Sequence, residues 1–168
     1  LIRIVPDKGA FVSQPSEKES RDIFAARRII EGALAREFVA KATAADYRKL
    51  EKHLEAERRS LEGDHKVRSQ LLGDFHVVLA RMLGNEALAD ILRELVSRSS
   101  LISLMYQSAH SAEHSFAEHV AIVDALEARD ARAAVKLMQS HLHNVERNLR
   151  LNPRVPDLPS VLHAGDPS

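Results

Sequence analysis

The chain has no cysteine. That excludes disulfides, thiolate zinc sites and thiol nucleophiles, and leaves the redox compartment unreadable. Neither sign of charge is in excess: Lys plus Arg and Asp plus Glu both number 24 in 168 residues. A neutral balance lacks the long-range pull of a basic protein on nucleic acid or an acidic membrane. The charges, 29% of residues, interleave as on a solvated surface. No apolar run approaches membrane-spanning length and no signal peptide is visible, so the expectation is a cytoplasmic protein with no membrane partner. Several enzyme signatures are missing: there is no His-Glu-x-x-His, no Gly-x-Ser-x-Gly and no Walker loop. The string Glu62-Gly63-Asp64-His65 would be half of a di-iron motif, but it straddles a helix break.

What is present is mostly helical punctuation. Residues 1–14 stand apart: two short β-branched or aromatic runs flank Asp7-Lys8-Gly9 and predict a β-hairpin. Ser16 with Glu19 forms a capping-box pattern that opens a first helix to about Lys41, with Ile23, Arg27, Ile30, Leu34 and Phe38 on its buried face. Thr43 with Asp46 opens a second, ending near Leu61. Asp64 caps a third, which Gly84 stops, and Asn85 caps a fourth carrying Leu88, Ile91, Leu92, Leu95, Leu101 and Ile102. The break before the fifth helix is expected among Gln107, Ser108 and Ser111, and that helix runs to about Arg129. Asp130 caps a sixth that ends before Pro153, and residues 153–168 form a Pro-rich, irregular tail. The fold class is therefore all-α: an antiparallel bundle of about six helices over residues 16–152, preceded by a short β-hairpin.

Three histidines share an address. His76 sits with Leu72, Leu79 and Leu83 at helical spacing, His119 with Phe116, Ile122, Val123 and Leu126, and His141 with Leu137, Met138 and Val145. Each alone reads as a core histidine satisfied by a carbonyl or hydroxyl. Together, on three stripes facing one interior, they favour a shared divalent metal, since neutral imidazole is its commonest protein ligand. Arg27 lies in the apolar face of the first helix. Glu31 one turn on can pair with it, or its planar fork can reach the histidine cavity and grip a carboxylate; Arg98 on the fourth helix is a second candidate. His53, His65, His110, His114, His143 and His163 read as surface residues, and Glu118 points about 100° away from its neighbour His119.

The pattern as a whole resembles the effector-binding FCD domain of GntR-type transcription regulators of the FadR subfamily. Arg27-Arg28-Ile29-Ile30-Glu31, Gly73-Asp74-Phe75-His76 followed by Gly84-Asn85, Glu118-His119 through Asp130, and Ala134 through His141-Leu142 carry the resemblance. It implies a ligand-sensing and dimerisation domain, not an enzyme, with His76, His119 and His141 as metal ligands. The ion would be zinc first, with nickel or manganese after it. The family's aspartate ligand has no match, because Leu72 stands four residues before His76. The resemblance further implies a small organic acid as effector; by hypothesis the metal and Arg27 hold its carboxylate, with Arg98 the second candidate. It also implies a homodimer, and operator DNA bound through a winged helix-turn-helix. The N-terminal hairpin would then be the wing remnant of a truncated DNA-binding domain, with Arg3 and Lys8 as phosphate contacts; the start at Leu1 without Met fits a processed or truncated piece. Two rivals stay open: a metal-dependent hydrolase or lyase on a helical bundle, and a metal-free interaction module whose histidines are core residues.

Overall fold

The computed structural model describes residues 2–5, 9–12, 16–106 and 109–151. Six helices make up the fold: α1 (Glu17–Lys41), α2 (Ala44–Ser60), α3 (His65–Met82), α4 (Glu86–Tyr106), α5 (Ala109–Glu127) and α6 (Ala131–Leu151). Their starts are chemically marked. Ser16 Oγ accepts from the Glu19 amide at 3.1 Å. Thr43 and Asp46 close a full capping box. Asp64 accepts from the Lys66 and Val67 amides, Asn85 from Leu88, and Asp130 from Ala133. The first box is only half made, because the Glu19 carboxylate pairs with Arg98 of α4.

Two helix ends use left-handed backbone. Gly84 stops α3 at φ 71°, as its lack of a Cβ allows. Arg129 does the same after α5 at φ 56° without being glycine. Its guanidinium donates to the Val39 and Ala42 carbonyls, closing the C-terminal end of α1. This shortens the fifth helix relative to the expected end at Arg129. The expected break at Gln107 and Ser108 and the tail from residue 152 onward lie outside the described residues.

Short links between packed partners reverse the chain, so α3 and α4, and α5 and α6, run antiparallel. The other main contact joins α1 to α6, the first helix to the last. Two apolar clusters result. The larger holds Leu34, Phe38, Leu50, Phe75, Leu79, Leu92, Ile122, Leu126 and Met138. The smaller holds Ile23, Phe24 and Ile102. Several helices pass from one cluster to the other through a buried polar position: Arg27 and Glu31 on α1, Ser99 on α4, His141 on α6. Ile91, expected in the core, is 51% exposed; the buried stripe of α4 runs through Ala89, Leu92, Val96 and Ser99 instead. Gly73 weakens α3 locally but permits close packing, since a Cβ there would meet Val96 Cγ1 at 3.0 Å and Ser100 Oγ at 3.2 Å.

Ahead of the bundle, the backbone of Ile2–Val5 (β1) pairs antiparallel with Gly9–Val12 (β2), Ile2 opposite Val12. Among the described residues, no contact joins this ribbon to a helix. A lone two-stranded ribbon is marginal in water. The fold that packing supports is thus the helical bundle alone, and the expected hairpin adds nothing to it.

Phe38 shows how the larger cluster is held. It is fully buried and meets Tyr47 edge-on at 5.7 Å, while the Tyr47 hydroxyl donates to the Leu126 carbonyl at 2.8 Å. Phe38→Ala is expected to lower unfolding free energy by about 3–5 kcal/mol. Urea denaturation checks this through a lower midpoint at unchanged slope.

Candidate metal centre and adjoining cavity

The polar layer brings the three predicted histidines together. One ring nitrogen from each of His76, His119 and His141 lies within 4.8 Å of the others, and all three side chains are buried. His119 Nε2 and His141 Nε2 are 3.3 Å apart. Two nitrogens bound at about 2.0–2.1 Å to one tetrahedral zinc sit about 3.4 Å apart, so this spacing fits a shared ion. Phe75 stacks on His119 with centroids 4.0 Å apart and meets His76 edge-on.

Behind each imidazole stands a carboxylate from another helix. His76 Nδ1 lies 2.5 Å from Glu31 Oε2 of α1, near enough to pair although off the angle of a linear hydrogen bond. His119 Nδ1 lies 3.0 and 3.1 Å from the oxygens of Glu57 on α2. His141 Nδ1 lies 2.7 Å from Glu118 of α5. Burial on its own would raise all three carboxyls. Arg27 and then His76 outweigh it at Glu31, holding that group at about 2. His119 outweighs it at Glu57, and hydrogen bonds from His141 and Asn144 do so at Glu118; both stay below the usual carboxylate range.

An ionised carboxylate can only accept, so the Nδ1 atoms of His119 and His141 carry the hydrogens. In neutral rings the two Nε2 lone pairs then face each other across 3.3 Å, an arrangement that repels unless a cation lies between. Charge leads to the same place. Glu31, Glu57 and Glu118 outnumber the one guanidinium of Arg27 among them, an acidic excess that favours a cation. The residues present therefore fit a divalent metal. Leu72 contributes no ligand: it is an apolar residue of the adjoining cavity wall.

Arg27 lies where its placement on the apolar face suggested. It is 4% exposed and donates through Nε to Glu31 at 2.6 Å and through Nη1 to Ser99 at 2.8 Å. Its Nη2 is buried without a partner. Arg27 and the three histidines line one cavity of about 50 Å³, together with Ser69, Ser99, Ser100 and Ser115 among others. Arg98 is not there. It pairs with Glu19 and, at 3.9 Å, with Glu94, and lines a separate surface groove, so its expected place in the site is corrected. Arg3 falls in β1, and Lys8 lies outside the described residues.

Sequence reading paired Glu31 with Arg27, as found, but missed Glu57 and the pairing of Glu118 with His141. Glu57 occupies a stripe position of α2, spaced with Tyr47, Leu50, Leu54 and Leu61, and a charge there was the available signal. His53, read as surface, is largely buried: its Nε2 lies 3.1 Å from Glu57 and from the Leu71 carbonyl. Glu118 does turn away from its neighbour His119, as its angle on the helix required, and serves His141 instead.

The chain belongs to the FCD domain family, whose model matches residues 22–144. It is 33% identical over 123 residues to the HTH-type transcriptional repressor NanR of Cronobacter sakazakii, covering 71% of this chain and 46% of that protein. It is 27% identical over 157 residues to the HTH-type transcriptional repressor RspR of Escherichia coli, covering 89% and 67%. The chain thus spans about half the length of the first relative and two thirds of the second. Among solved structures, E. coli McbR/YncC superposes with a TM-score of 0.78 at 17% identity, covering 89% of this chain and 77% of that one. The two relatives are transcriptional repressors, not enzymes, and give the hydrolase or lyase rival no support.

Burial in this layer fixes a pH response of the metal-free protein. Desolvation drives His76 from 6.5 to about 3 against the pull of Glu31, with Arg27 adding to the fall. It drives His141 from 6.5 to about 4 against Glu118, with His119 adding to the fall. Below 6.5 the unfolded chain binds protons that the folded one refuses, so the stabilisation is complete above that value and is lost as pH falls towards 4 and 3. Glu31 extends the loss from 4.5 towards about 2. Melting temperature measured in chelator should fall steadily through this window; a flat profile would show that these imidazoles are not buried neutral.

Proposed function

We propose that this chain senses a small organic acid at a metal-centred pocket and thereby controls operator binding by a transcription regulator of the FadR type. One observation carries the reading: three buried imidazoles converge on one point, and a guanidinium nitrogen without a partner lines the same cavity. A cation and an anion each have a place, side by side. His76, His119 and His141 hold a divalent ion, for which an all-imidazole set favours zinc ahead of nickel or manganese. When bound, the ion supplies a Lewis-acid contact for one carboxylate oxygen of the effector. Arg27 grips the other end through Nη2, already oriented by Glu31 and Ser99.

The cavity's size supports a switch rather than a static receptor. About 50 Å³ has room for roughly one or two waters. An organic acid enters only if α3 and α4 separate near Gly73, Ser99 and Ser100, where they now pack closely. An effector that fits the opened arrangement alone has the differential affinity that a population shift requires. In the working protein, a homodimer in the cytoplasm, that shift would reorient two DNA-binding domains. Residues 1–14 would be the wing, with Arg3 and Lys8 on phosphate.

Elemental analysis of protein purified without a histidine tag tests the metal. The expected result is close to one divalent ion per chain, lost in His119→Ala, with a lower melting temperature after chelation. A panel of small hydroxy, sugar and dicarboxylic acids should contain one that raises the melting temperature of the metal-loaded protein and leaves Arg27→Met unmoved. Less than about one ion per several chains, with melting unchanged by chelator, returns the histidines to the role of core residues.

A further inference from the structure

Helix α2 supplies no ligand to the triad, yet it buries a carboxylate against it. Glu57 has no exposed surface and accepts from His119 Nδ1. On its other side, Glu57 Oε1 lies 3.1 Å from His53 Nε2, and that same nitrogen lies 3.1 Å from the Leu71 carbonyl of α3. A ring nitrogen that faces two acceptors must carry a hydrogen. His53 therefore donates to the Leu71 carbonyl, tying α2 to α3, with the Glu57 carboxylate beside the same nitrogen. Its side chain keeps 12% of its surface, so the run His53–Glu57–His119 leads from the edge of the molecule to the triad.

The other two carboxylates have further duties. Glu31 also holds Arg27, and Glu118 also meets Asn144 and the exposed His114. Neither Glu57 nor His53 lines the cavity. Resting on the metal reading above, we propose that His53 and Glu57 form a positioning arm that fixes the His119 ring for the ion, Nδ1–H on Glu57 and Nε2 towards His141. His53 is then a functional histidine outside the triad. The arm acts on the ion and not on the anion pocket. Outer partners of this kind are worth about 10–100-fold in metal affinity.

The test uses Co²⁺ followed by its visible absorption, with the untagged full chain, Glu57→Gln and His53→Phe. Nitrogen NMR of the metal-free proteins reads which ring atom of His119 is protonated. Glutamine keeps the shape of Glu57, but its amide can donate to Nδ1 and so releases the tautomer. Phenylalanine keeps the ring of His53 beside Phe75 and removes the hydrogen bond. Glu57→Gln should bind Co²⁺ about 10–100-fold more weakly, with a shifted band and a mixed His119 tautomer. His53→Phe should show a smaller loss in the same direction. Wild-type affinity and band in both variants, or a His119 in the unaltered chain without hydrogen on Nδ1, overturns the arm. Should Glu57→Gln fail to fold, His53→Phe and the tautomer of the unaltered chain decide. An unaltered chain that binds no Co²⁺ overturns the metal reading and the arm with it, an outcome distinct from a failure confined to the variants.

Discussion

Two fully buried carboxylates, Glu31 and Glu57, and a third that is half-buried, Glu118, are the constraint around which this structure is arranged. Each would be costly alone, because a charge withdrawn from water must find compensation within hydrogen-bonding distance. Glu31, Glu57 and Glu118 find it in three imidazoles and one guanidinium, drawn from five of the six helices once Ser99 is included. No helix can rotate or slide far without stranding a charge. The layer therefore sets the register of the bundle as well as carrying its chemistry.

The same constraint explains why the site suits a cation. Carboxylates on Nδ1 decide the tautomer, the tautomer turns lone pairs inward, and converging lone pairs are a ligand set. Two apolar clusters close the layer from either side, keeping the dielectric low and His76 and His141 neutral. Depressed affinity for protons at His76 and His141 means that a metal meets little competition near neutral pH. Arg27 offsets part of the negative charge while leaving one nitrogen for a guest.

Close packing between α3 and α4 gives the layer its second property. With Gly73 against Val96 and Ser100, the cavity holds only about 50 Å³ in this arrangement. A pocket that must open in order to be filled links occupancy to helix position by simple excluded volume.

How much of this could be read in advance varies with the range of the interaction. Caps at Ser16, Thr43, Asp64, Asn85 and Asp130 act within one turn, so the sequence alone determined where five of the helices begin. Apolar spacing likewise put His76, His119, His141 and Arg27 on inward faces, because a 3.6-residue period is a local property. Arg129 shows the limit: its left-handed backbone comes with a guanidinium that closes the end of α1, across 87 to 90 residues of chain. Which acid meets which imidazole was beyond local reading, as Glu57 and His119 stand 62 residues apart and Arg98 found Glu19 rather than the cavity. Periodicity fixes the face a side chain takes on its own helix. The partner across the gap is settled only when helices pack, since packing alone sets their relative rotation and height.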